Sequence, residues 1–221
     1  MSDATEQQVA QTGIEAGVIL CTLRHYSESQ SMQTVQLVEQ FRGSRVVGFD
    51  IAADEAAYPI DNHVSAFEYA KKHNLDRAAH AGEGEACGAE SVRETLNKLT
   101  PARIGHGVRS TEDPELIDRL KEEDIHLEVC LTSNIQTNVF EAMTDHNVNA
   151  IFDAGISMSI NTDGRTISDV TLGQEYETLL TIFDWDRQKL LKTNLEAIAH
   201  AFTSQKVKVE LRDQIMEAYA D

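Results

Sequence analysis

Arg77-Ala78-Ala79-His80-Ala81-Gly82-Glu83 decides how the rest of the chain is read. A short apolar approach ends in an imidazole. Gly82, Gly84 and Gly88 then loosen the backbone before Ser91-Val92-Arg93-Glu94-Thr95-Leu96 sets a helical period. His80 therefore closes a predicted strand, and Glu83 shares its strand-to-loop turn. Parallel α/β proteins build their active sites at such turns. A strand-end histidine alone is more often a hydrogen-bonded structural residue, so the other strand ends carry the decision.

Working outward, predicted strands begin near residues 18, 45, 77, 102, 126 and 156. Val18 to Leu23 is almost continuously apolar, the mark of a strand buried on both faces. Helical patterns run from Thr5 to Ala16 with Gly17 as the stop, from Glu28 to Phe41, from Asn62 to His73 and from Gly88 to Leu99. Asp113-Pro114 opens another, with proline suited to a first turn. A helical stretch ends near Gly155, and three more cover 169–183, 186–202 and 207–220. This alternation predicts an α/β fold with a parallel sheet and right-handed crossovers. A (β/α)8 barrel needs eight strands and about 250 residues. Six units leave either an open sheet or a barrel lacking two units. No linker or internal repeat divides the chain, so residues 1–221 are read as a single domain.

Composition excludes several roles. Nineteen Lys+Arg against 37 Asp+Glu give a formal net charge of −18. Such a surface repels nucleic acid and anionic membranes, so neither is expected as a partner. No stretch is apolar enough to span a bilayer, and the polar, acidic start is not expected to act as a signal peptide. Cys21, Cys87 and Cys130 form no CxxC pair. Cys21 and Cys130 lie in apolar runs and read as buried thiols, and a cytoplasmic location is expected. No Gly-x-Gly-x-x-Gly or Gly-Lys-Ser/Thr loop is present to cradle a phosphate.

Four predicted strand ends carry polar chemistry: Asp50, His80 with Glu83, His106, and Asp163. Imidazoles and a carboxylate from separate strands can converge at the C-terminal mouth of a sheet or barrel. That donor set suits a divalent metal of the zinc class, with Glu83 as an acid whose proton a dry pocket would hold at neutral pH. His63, His73, His146 and His200 lie on helical patterns and are read as solvated surface. Ser133-Asn134 is read as holding its loop through local bonds. Asp50, Asp54, Glu55 and Arg24-His25 are read as organising their loops.

The chain resembles the adenosine deaminase family, and its bacterial members more closely. The resemblance rests on Ile19-Leu20-Cys21-Thr22-Leu23-Arg24-His25, Val47-Gly48-Phe49-Asp50-Ile51-Ala52 and His80-Ala81-Gly82-Glu83. It continues through Ile104-Gly105-His106-Gly107, Glu128-Val129-Cys130 with Thr132-Ser133-Asn134-Ile135-Gln136-Thr137, and Ser159-Ile160-Asn161-Thr162-Asp163. It implies a (β/α)8 TIM barrel of the metal-dependent hydrolase type and zinc-dependent deamination of adenosine to inosine and ammonia. By resemblance His80 and Asp163 are metal ligands and Glu83 protonates purine N1. His106 by the same resemblance orients or deprotonates the attacking water. Ala53 and Gly164 stand where the family contacts the purine, Ala53 in place of a glycine and Gly164 often in place of an aspartate. Those two departures leave adenine or another 6-aminopurine open as substrate.

A larger departure concerns the metal. The family carries a His-x-His pair on its first strand, and no two of the eight histidines here are separated by one residue. The chain is therefore read as about six of eight βα units, an incomplete barrel that binds zinc weakly and turns over little substrate alone. Under that reading the edges at Val18–Leu23 and Ile156–Asn161 are apolar and exposed. They invite homo-oligomer formation, a complementing N-terminal segment or, if the chain is a non-catalytic remnant, another partner.

Overall fold

The structure is a computed structural model and describes residues 2–84 and 87–220. Its elements run in the order α1 (Ser2–Thr12), β1 (Val18–Leu23), α2 (Glu28–Gln40), β2 (Val46–Ala52), α3 (Val64–Lys72), β3 (Ala78–Ala81) and α4 (Gly88–Leu99). They continue with β4 (Arg103–His106), α5 (Pro114–Glu122), β5 (His126–Val129), α6 (Leu131–Gln136), α7 (Val148–Asp153) and β6 (Met158–Ile160). The chain closes with α8 (Arg165–Ser168), α9 (Leu172–Ile182), α10 (Arg187–His200) and α11 (Gln205–Ala218). Local chemistry sets the helix starts. Ser27 with Gln30 and Thr171 with Gln174 form capping boxes, and Asp113 caps α5 ahead of Pro114.

All strand pairs are parallel. β1 pairs with β2, and β3 to β6 pair in sequence order. Among the described residues the two groups meet at a parallel bridge between Phe49 and Arg77, where the Phe49 N–H donates to Asp76 O at 2.9 Å. Strand order thus follows chain order with no reversal. That is the winding of a barrel rather than of a doubly wound sheet, which has a switch point. Side chains alternate across the strands. Ala79 and Ala81 are fully buried, as are Leu127 and Val129, whereas His80 and Glu128 between them line a cavity.

Four expectations need correction. Helix α1 stops at Gly13, not Gly17: Gly13 takes φ +69° and its N–H closes on Val9 O at 2.9 Å. Strand β1 is not buried on both faces, because among the described residues only β2 pairs with it, and Cys21 is exposed. Strand β6 is the last strand of its sheet, as expected, but it is covered rather than exposed. Met158, Ser159 and Ile160 are all buried, and the Met158 N–H donates to Glu196 Oε2 of α10 at 2.9 Å. The stretch before Gly155 is two short helices, α6 and α7. No helix among the described residues is long and apolar enough to cross a membrane.

Candidate active site

The C-terminal ends of β2, β3, β4 and β6 bring Asp50, His80, Glu83, His106 and Asp163 together. One ligand atom each from His80, His106 and Asp163 lies within 4.8 Å of the others, so the three could share a metal ion. The His80 and His106 rings are 5.4 Å apart. His106 Nε2 is 3.0 Å from Glu83 Oε2 and 3.8 Å from Asp163 Oδ2. Ser133 donates its hydroxyl to Asp163 Oδ2 at 2.7 Å.

The backbone is bent to achieve this. Ala53, His106 and Asp163 have φ of 85°, 64° and 55°, a left-handed region costly for residues with a Cβ. Three such residues at three strand ends place the strain where the polar side chains converge. Gly105 is required by close approach, because a Cβ there would lie 2.8 Å from the His80 ring. Gly82 turns at φ +69° and donates its N–H to Glu55 Oε1 at 3.0 Å, aiming the chain towards Glu83.

His80 Nδ1 lies 3.1 Å from Asp50 Oδ2. Burial opposes charge on His80, but the Asp50 carboxylate outweighs it and holds the imidazole pKa up at about 10. Glu83 goes the other way. Burial raises its pKa, yet the His106 hydrogen bond and the neighbouring imidazoles win and the net shift is downward. The expectation of a proton-retaining Glu83 is not met in this arrangement, because the imidazoles beside it favour the carboxylate. Asp163 is also lowered, burial being outweighed by the Ser133 hydroxyl and His106.

Two cavities flank the cluster, and His80 and Asp163 line both. The larger, about 570 Å³, takes in Ala53, Asp54, Glu55, Glu83 and Thr137. The smaller, about 360 Å³, includes His106, Glu128 and Leu172. Gly164 opens α8 beside this rim but lines neither cavity, and its Cβ position is bordered by Ile167.

Several side chains differ from their sequence reading. Asp50 pairs with His80 rather than only ordering its loop, whereas Asp54 does order its loop, accepting the Ala56 and Ala57 N–H groups. Arg24 braces β3 by donating to His80 O at 2.9 Å. His63 is fully buried between Ser31 Oγ and Arg24 O, and His146 is 4% exposed, so neither is solvated surface. His200 stacks on buried His126 with ring centroids 4.6 Å apart. Asn134 is not a loop-local group: it joins His106 Nδ1 to His146 Nε2. The available signal was its position in the polar segment directly after β5.

Comparison with known proteins gives the family and the fold. The adenosine deaminase family model matches residues 1–218. An adenine deaminase of Sinorhizobium fredii is 34% identical over 195 residues, covering 87% of this chain and 60% of that protein. An adenosine deaminase of Enterococcus faecalis is 33% identical over 207 residues, covering 94% of this chain and 60% of that protein. The chain thus spans about 60% of the length of these relatives. The crystal structure of adenine deaminase from Arthrobacter aurescens superposes with a TM-score of 0.91 at 23% identity, over 99% of this chain and 66% of that one. The fold is accordingly that of a TIM barrel. With the family model matched from residue 1 to residue 218, the chain belongs to the adenosine deaminase family.

Proposed function

We propose that this chain carries the proton-handling groups and part of the metal-holding set of a zinc-dependent hydrolytic deaminase of 6-aminopurines, with adenosine as the first substrate to test. The observation that carries the reading is the convergence of His80, Glu83, His106 and Asp163 beside a cavity of about 570 Å³. Imidazole and carboxylate donors fit a borderline-soft divalent ion, and His80 and Asp163 are the residues that would hold it. When bound, zinc would polarise a water so that it attacks at neutral pH.

The chain's own groups divide the remaining work. Glu83 exchanges a proton with purine N1, which makes C6 electron-poor enough for attack. His106, buried and bonded to Glu83, orients the attacking water. The Ala53 N–H faces the purine, and the methyl at this strained position narrows the approach. Gly164 offers no side chain to N7. That feature, with similar relatives named both adenine and adenosine deaminase, supports adenine as the second substrate to test.

With His106 kept for the water rather than the metal, His80 and Asp163 are two protein ligands, short of the three usual at a catalytic zinc ion. The 221 residues alone are therefore expected to bind zinc weakly and to deaminate slowly. Adenosine loss should be assayed with zinc, with and without a polypeptide supplying the family's His-x-His units. Turnover that requires the added polypeptide and vanishes in Glu83→Gln supports the proposal. Rapid turnover by the chain alone refutes the incomplete metal site. A complemented, zinc-loaded protein inert towards both adenosine and adenine refutes the deaminase reading.

A further inference from the structure

Behind His106 a buried polar chain runs away from the cavity and ends on the main chain of α7. The Val148 N–H, which can only donate, points at His146 Nδ1 at 3.1 Å. His146 Nδ1 is therefore an acceptor, and its ring proton sits on Nε2. That Nε2 lies 3.2 Å from Asn134 Oδ1 and donates to it. The amide nitrogen of Asn134 then faces His106 Nδ1 at 3.1 Å and donates in turn. We propose that Asn134 and His146 are positioning residues that fix His106 in its Nε2–H tautomer. His106 then presents an N–H, not a lone pair, to the water and to Glu83.

The direction of the relay is imposed by a group that cannot reverse. Placing the His106 proton on Nδ1 would require the Asn134 amide to turn over. His146 would then carry its proton on Nδ1, pointing at the Val148 N–H, donor against donor. Water cannot relieve that conflict, because Asn134 is fully buried and His106 and His146 are 1% and 4% exposed. His146 is also walled by Phe140 and Phe183, with ring centroids 4.6 and 6.3 Å away. Burial pushes its pKa down to about 4, so it stays neutral and keeps one fixed donor and one fixed acceptor. A general base at His106 needs a bare Nε2, and the relay withholds it. The inference rests on the deaminase reading only for the identity of what His106 orients; the tautomer stands on the geometry alone.

The test is a long-range proton–nitrogen correlation spectrum of histidine rings in the 15N-labelled 221-residue chain at neutral pH, without substrate or added metal. His106 and His146 are both expected with the proton on Nε2 and a bare Nδ1, the alternative tautomer of His106 being at least about tenfold rarer. A His106 proton on Nδ1 overturns the proposal. Asn134→Asp, nearly isosteric, replaces the donor with an acceptor and should draw a proton onto His106 Nδ1. An unchanged His106 signature in a folded Asn134→Asp also overturns it. The spectrum of the unmutated chain decides the matter even if the variant fails to fold. In a complemented, active enzyme Asn134→Asp should lower kcat at least about tenfold with KM within about twofold, the pattern of an interaction made at the chemical step. An Nε2–H His106 in a protein that deaminates nothing removes the activity and leaves the relay standing. The other tautomer in an active enzyme removes the relay alone.

Discussion

His80 and His106 stand on adjacent strands with rings 5.4 Å apart, yet opposite kinds of partner hold them. His80 Nδ1 meets a carboxylate, Asp50, which favours an added proton. His106 Nδ1 meets an amide, Asn134, whose orientation a main-chain N–H fixes through His146. A carboxylate partner selects the charge of an imidazole; an amide anchored on the backbone selects which nitrogen carries the proton. The difference teaches that two histidines of one cluster can be prepared for different tasks without differing in their own strands.

The strongest way to break that comparison is to remove the group both imidazoles face. Glu83→Gln keeps the shape but cannot exchange a proton with the purine. Deamination by the complemented enzyme should fall by about 10² to 10⁴, read as the initial rate of adenosine loss. A residual rate near that of the unmutated enzyme would move proton delivery to another group.

Asp50→Asn removes the charge partner from one imidazole only. With the largest opponent of burial removed, the His80 pKa should drop from about 10, while the His106 tautomer stays unchanged. A ring-proton titration by NMR reads both. A shift of both histidines would show that the two supports are coupled.

Acid sharpens the contrast between buried neutral and buried charged imidazoles. Burial lowers His146 to about 4, so its unfolded form takes up a proton first as pH falls below 6.5. Its contribution is therefore full above pH 6.5 and is lost between 6.5 and 4, about 1.4 kcal/mol per unit and about 3 kcal/mol in all. His126, lowered to about 2 by burial and by the nearby His200 charge, adds a slope of the same sign that continues to lower pH. His80 is raised, so its contribution is already complete below pH 6.5 and does not offset the loss in that window. Glu83 and Asp163 are lowered and contribute above their ordinary values, losing that stability only as pH falls through their folded pKa. Denaturant midpoints from pH 7 to 4 should fall accordingly, and His146→Gln should flatten part of the slope.

The smallest expected change comes from Gly105→Ala. A methyl 2.8 Å from the His80 ring must push the imidazole or bend β4, costing about 1–3 kcal/mol in thermal or denaturant unfolding. The His80–Asp50 pair should be disturbed more than the His106 relay, which lies on the other side of His106.

Much of the site was legible because strand ends can be read from local pattern. His80, His106 and Asp163 each close a short apolar run, and those runs became β3, β4 and β6. Six parallel strands followed from the alternation of apolar runs with helical patterns, which left their order open between a sheet and a barrel. What was missed depended on neighbours distant in the chain. Asn134 on α6 and His146, two residues before α7, are twelve positions apart, and only the tertiary fold brings both to His106. His63 follows the same logic, a helical-pattern histidine drawn inside by Ser31 and Arg24 O.

The sequence by itself determined the parallel βα alternation and which residues sit at the strand ends, because apolar periodicity and turn residues act over a few positions, and its motifs carried the resemblance that implied a barrel and the family. Only the tertiary structure decided their protonation. Whether a carboxylate at position 83 is held below its ordinary pKa, whether His80 carries charge and which nitrogen of His106 carries hydrogen all depend on burial and on partners from other strands. Desolvation, hydrogen bonding and nearby charge are set in three dimensions, and no local window of the chain contains them.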